Sequence, residues 1–184
     1  MLTKTNLLII GHARHGKDTL AEIFQEHYGF TFSSSSQAAA DIFIYDLLKD
    51  KYGYTTPEEC FENRVNHRQE WYELITGYNK IDKAKLGREI VNKTGCYIGM
   101  RDYDEIIECL NQNIFDLIIW VDASKRLPLE PRSSFNIDMT IADIIVDNND
   151  SLENFQRRAI NLGKALFNPK LHVNPKYLPK AELI

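Results

Sequence analysis

Five short apolar runs punctuate an otherwise polar chain: LLIIG (7–11), FTFS (30–33), CYIGM (96–100), LIIWVD (117–122) and DIIVDN (143–148). They are close to continuous rather than alternating, which predicts strands buried on both faces. Helical stretches are expected between them at 17–27, 37–51, 57–76, 82–94, 103–112 and 151–166. Strands and helices in alternation, joined by right-handed crossovers, predict a doubly wound α/β domain. SSSSQAAA (33–40) reads as a strand-to-helix loop with a serine N-cap. The segment 168–184 carries Pro169, Pro175 and Pro179, which preclude a regular helix. It is expected to lie extended on the surface, or against the partner subunit of a homodimer.

Composition narrows the class. The chain has 184 residues, 43% of them hydrophobic and 26% charged, enough for one domain with a proper core. A net charge of -4 argues against a general nucleic-acid binder, which carries a basic excess. Cys60, Cys96 and Cys109 have no metal spacing and read as buried thiols of a reducing compartment. LLII is too short for a signal segment or a membrane span, so a cytoplasmic protein is expected.

The candidate chemistry begins at GHARHGKDT (11–19). Gly11-x-x-x-x-Gly16-Lys17 between a predicted strand and a predicted helix is the setting of a phosphate-binding loop. Its amides can converge on phosphate oxygens, and the helix adds its positive N-terminal end. Lys17 is expected on the β- and γ-phosphates of a nucleotide, with Arg14 and His15 adding positive charge. Asp18 stands where a hydroxyl residue is usual, so Asp18 or Thr19 is the expected Mg²⁺ ligand. Asp50-Lys51-Tyr52-Gly53 and Asn79-Lys80-Ile81-Asp82 match GTPase strings. Both follow predicted helices rather than strands and are chance matches.

Four further segments carry basic or polar residues suited to nucleotides. Arg64, Arg68, Trp71 and Tyr72 are spaced to share one face of a helix beginning after Pro57. Composition alone favours a solvated face with Trp71 in the core. The pairing of arginine forks with an aromatic platform, however, suits a nucleoside monophosphate. Arg101 follows a predicted strand, at the sheet edge where ligands bind in open α/β folds. A surface ion pair with Asp102 or Asp104 is its alternative. Lys125, Arg126 and Arg132 lie in a proline-marked loop, expected to be too polar for the core and able to close as a lid. Asn148, in DNNDS (147–151), is placed either beside an adenine or in a plain turn before a helix capped by Ser151.

Taken in order, GHARHGKDT, NHRQEWYELI, YIGMR followed by Glu105, FDLIIWVDASKR with Arg132-Ser133-Ser134, and ADIIVDNN resemble the deoxynucleoside monophosphate kinases of tailed phages. The resemblance runs from about residue 6 to 166. It implies the P-loop kinase fold, a five-stranded parallel sheet of order 2-3-1-4-5 with helices on both faces. The kinase domain would span 1–167, with acceptor-binding helices inserted at about 37–94 and a lid at about 123–138. It implies transfer of the ATP γ-phosphoryl group to a deoxynucleoside 5′-monophosphate with Mg²⁺, in the host cytoplasm if phage-encoded. Its partners would be small-molecule nucleotides, with no nucleic-acid polymer and no membrane. The loop Gly11, Ala13, Arg14, His15, Gly16, Lys17, Asp18 and Thr19 would hold ATP. Arg68 and Arg101 would hold the acceptor, and Arg126 and Arg132 would be lid arginines. Gly99 departs from the pattern, since an acidic residue often stands two places before the arginine.

A phosphate acceptor is already an oxyanion and needs cations more than a base. The arginines fit that need. Another small-molecule P-loop kinase, resembling dephospho-coenzyme A kinase or phosphomevalonate kinase, is an alternative reading. So is an ATP-binding regulatory protein without turnover.

Overall fold

The computed structural model describes residues 5–167. The tail considered above lies outside them. Its strands are β1 (Leu7–Ile10), β2 (Ser33–Ser34), β3 (Cys96–Ile98), β4 (Leu117–Asp122) and β5 (Ile144–Asp147). They form one sheet in the order β2-β3-β1-β4-β5, every pairing parallel, which is the expected order.

β1 explains why its sequence is unbroken apolar. Leu7 and Ile9 face α1 (Lys17–Tyr28) and α8 (Leu152–Phe167), packing with Leu20, Phe24, Phe155 and Leu162. Leu8 and Ile10 face the opposite layer, α6 (Lys85–Thr94) and α7 (Tyr103–Asn111), with Leu86, Ile90, Ile106 and Cys109. All four strand residues are fully buried, each contributing about 2 kcal/mol before entropy is counted. The parallel arrangement brings the C-terminal ends of β1, β3, β4 and β5 to one rim.

A satellite core hangs beside this sandwich. It is built from α2 (Ser35–Ala39), a π-helical turn over Ala40–Ile44, α3 (Tyr45–Tyr52), α4 (Pro57–Asn63) and α5 (Arg68–Tyr78). Ala40, Ile44, Leu48, Cys60 and Trp71 pack at its centre. The three cysteines are buried and free, as expected. Among the described residues no helix is long and apolar enough to cross a membrane.

Three expectations need correction. The strand at 30–33 is instead the two-residue edge strand β2, because Phe30 and Phe32 turn down against the core beside Phe167. The helix expected over 57–76 breaks at Arg64–Asn66. There the Arg64 guanidinium lies 3.6 Å from the Phe61 ring centre and donates to the Phe61 carbonyl (2.7 Å), the acceptor a continuing helix would use. Arg64 therefore does not share a continuous helical face with Arg68, Trp71 and Tyr72. Finally, the expected lid at about 123–138 does not stay outside the core at its end, since Phe135 and Ile137, just past the polar stretch, are buried in the main core.

Candidate active site

The chain leaves β1 at Ile10 and enters α1 at Lys17 through a loop with left-handed backbone at Arg14 (φ 65°) and Gly16 (φ 104°). Such alternation turns successive amides toward one concavity, a ready anion nest. Gly16 is required twice over. Its φ disfavours a side chain, and a Cβ there would stand 2.6 Å from Asn148 Nδ2.

Asn148 braces the loop and also lines the smaller of two clefts beside it. It is buried, its Nδ2 donates to the His15 carbonyl (2.8 Å), and its own amide donates to the Asp122 carbonyl (2.7 Å). His15 also departs from expectation. Its ring is fully buried, with Nδ1 accepting the Ala123 amide at 3.1 Å. Burial pushes its pKa below the ordinary histidine value, favouring the neutral ring, so it supplies a tie to β4 instead of positive charge. Arg14 stays exposed at the loop. His12, which sequence reasoning passed over, accepts the Glu130 amide on Nδ1 (3.0 Å) and packs against Phe135.

Lys17 is only 7% exposed, and its Nζ donates to the His12 carbonyl at 2.8 Å. Burial lowers its pKa, and the Asp18 carboxylate works against that shift. Gly99, just past β3, has φ 81°, and a Cβ there would sit 3.8 Å from Lys17 Cε. A side chain at that position would be strained by the positive φ and would lie in ordinary contact with the lysine stem.

The residue that joins these parts is Glu130. Its Oε2 accepts the Ala13 amide of the loop at 2.6 Å, and its Oε1 accepts the Arg101 guanidinium at 2.5 Å. Burial alone would raise its pKa. Arg101 and the Ala13 amide outweigh that and hold it below the ordinary carboxylate value. Arg101 thus pairs across the site, not with its neighbours Asp102 or Asp104. Sequence reasoning missed Glu130, although it is the sole acidic residue between Asp122 and Asp138, in a loop otherwise basic.

Two clefts open beside the loop. The smaller, of about 210 Å³, is lined by Arg14, Gly16, Thr19, Arg126, Asn148 and Asp150, among others. The larger, of about 1040 Å³, brings together Arg64, Arg68, Trp71, Tyr72, Arg101 and Arg132, with Glu130. Trp71 is a buried wall residue, while Tyr72 is 66% exposed. The two expected lid arginines serve different clefts. Arg126 donates through Nε to the Asn148 carbonyl in the smaller one. Arg132 lines the larger one, 3.6 Å from Asp138.

Asp18 is exposed in the first turn of α1, and Thr19 lines the smaller cleft. Among the described residues no three His, Cys, Asp or Glu side chains gather to cage a metal. Hard oxygen donors in so small a number fit Mg²⁺, which takes one or two protein ligands alongside substrate phosphates. The GTPase-like strings fall at the C-terminal ends of α3 and α5, not at strand ends.

No family model matches the chain, and no curated protein sequence does. Among solved structures, a gluconokinase from Sinorhizobium meliloti 1021 aligns over 89% of this chain and 94% of its own, at 13% identity and a TM-score of 0.48. Likeness at that level assigns no substrate.

Proposed function

We propose that the chain transfers the γ-phosphoryl group of ATP to a deoxynucleoside 5′-monophosphate, giving ADP and a deoxynucleoside diphosphate. The observation that carries this reading is the double contact of Glu130. One carboxylate touches both the loop amide of Ala13 and Arg101 of the larger cleft. An anion at that point is therefore within reach of both the loop amides and the larger cleft, an arrangement suited to in-line transfer between two phosphates.

In this reading the loop amides and Lys17 hold the β- and γ-phosphates, and the smaller cleft takes the adenosine end beside Arg126. Mg²⁺ held at Asp18 and Thr19 supplies further neutralisation of the phosphate chain. Arg68 and Arg101 grip the acceptor phosphate, and Arg64 and Arg132 add positive charge to the same cleft. Trp71 and Tyr72 shape it for the base. The main barrier is repulsion between two anions, and guanidinium groups placed between them lower it. The acceptor oxygen is already ionised, so no general base is needed.

A coupled ADP-release assay tests this across deoxynucleoside and ribonucleoside monophosphates, dephospho-coenzyme A and phosphomevalonate. Turnover is expected with one or more deoxynucleoside monophosphates. Turnover confined to a non-nucleotide acceptor, or ATP binding with no acceptor-dependent ADP, overturns the proposal.

A further inference from the structure

The larger cleft contains a polar corner that phosphate chemistry leaves unused. Ser35, Asn79, Tyr97 and Glu105 all line it. Asn79 is buried at the end of α5, and its Oδ1 accepts the Leu86 amide near the start of α6 (3.2 Å). That bond fixes the amide's orientation and turns Nδ2 toward Glu105, whose Oε1 accepts it at 2.8 Å. The Glu105 backbone amide is tied in turn to Asp102 Oδ1, the cap of α7 (3.1 Å). The carboxyl is thus held at Oε1, and the backbone that carries it is anchored at the start of α7. Its Oε2 has no hydrogen-bond partner among the described residues, and no cation there lies within ion-pair distance of it.

A half-buried carboxylate with no cation in direct contact is costly unless something donates to it, and Lys83, which lines the same cleft, offsets that cost only from a distance. Burial does push the Glu105 carboxyl above its ordinary value, with the Asn79 bond partly offsetting the effect. Its charge also repels phosphate. Glu105 therefore marks a part of the cleft that an acceptor's phosphate avoids and its base can occupy.

We infer that Glu105 reads the pairing edge of the acceptor base and selects guanine. This inference rests on the nucleotide reading of the site given above. Guanine presents N1–H and the 2-amino group side by side, matching the two oxygens of one carboxylate. Thymine offers a single N–H between two carbonyls. Adenine and cytosine place a ring-nitrogen lone pair there, which the carboxylate repels.

The test is equilibrium binding of dGMP, dTMP, dAMP and dCMP to the full chain by calorimetry, alongside acceptor-dependent ADP release with the same four. The wild type is expected to bind dGMP at least about tenfold more tightly than dAMP. Glu105→Gln keeps an acceptor for Asn79 but swaps one oxygen for a donor. It is expected to erase the dGMP preference while holding or improving dAMP affinity, with little change in Tm. Equal loss for all four, or no preference in the wild type, overturns the inference and reduces Glu105 to a strut between α5 and α7. A variant that fails to fold leaves the wild-type preference as the deciding measurement. Turnover without base preference overturns this inference and keeps the proposed function. Base preference in binding without turnover does the reverse, and failure to bind any of the four overturns both.

Discussion

Glu130→Gln is expected to tighten ATP binding, because the carboxylate holds an amide that the proposed function gives to phosphate. The Ala13 N–H donates to it at 2.6 Å in a partly buried setting. A hydrogen bond to a charged group in such a setting is worth about 1.5–3 kcal/mol. The Arg101 contact involves a half-exposed guanidinium, and solvent screening limits it to at most about 1 kcal/mol. A triphosphate in the loop must displace the first contact but not the second. Glutamine keeps a neutral acceptor of roughly half the strength, so the relief is about 0.75–1.5 kcal/mol, or roughly four- to twelvefold in Kd. Calorimetric titration with ATP at physiological ionic strength measures it. The effect should persist across the neutral range. Glu130's folded pKa is depressed, so its contacts are fully present above the unfolded value near 4.5 and fade only as pH falls through the lower folded value. Unchanged or weaker ATP binding by Glu130→Gln would refute the reasoning, since the carboxylate would then act with the nucleotide rather than against it.

Lys17→Met is expected to abolish phosphoryl transfer while leaving the circular dichroism spectrum intact, as the aliphatic stem of this buried residue is kept. Gly16→Ala should cost about 1–3 kcal/mol by thermal melt and suppress ATP binding, because φ 104° and the nearby Asn148 amide both oppose a Cβ. A melt within a degree of wild type would contradict it. Stability to urea should fall as pH drops below about 6.5. Burial depresses the folded pKa of both His12 and His15, so the unfolded chain takes up protons first, and the loss levels off below the folded values. A denaturation midpoint equal at pH 7.5 and 5.5 would count against neutral, buried rings.

What the sequence reveals follows the range of the interactions. β1 and β4 are legible because burial on both faces leaves an unbroken apolar run, and the Gly11–Lys17 loop because its spacing is local. β2 is not, since an edge strand of two serines has no hydrophobic signature. At the helix break the Phe61 carbonyl accepts both the Arg64 amide and its guanidinium, contacts within one turn that residue spacing does not encode. The site's connections are the least visible. Glu130 meets Ala13 across 117 residues, His15 meets Ala123 across 108, and Asn148 meets His15 across 133. Each looks locally like a charged loop residue, a loop cation or a turn former. The arginines stand out by charge in the sequence, but their division between two clefts depends on tertiary folding.

The bracing of GHARHGKDT from beyond β4 and β5 bears on how the molecule matures. The donors to the His15 ring and carbonyl are Ala123 and Asn148, so a nascent chain can expose the whole motif long before these distant braces form. Affinity for nucleotide should then emerge late, once the final strand has docked. Because a ligand that prefers the finished state deepens it by mass action, ATP would act as a fastener on the C-terminal third of the domain. Under the proposed function, nucleotide binding would then report completed assembly.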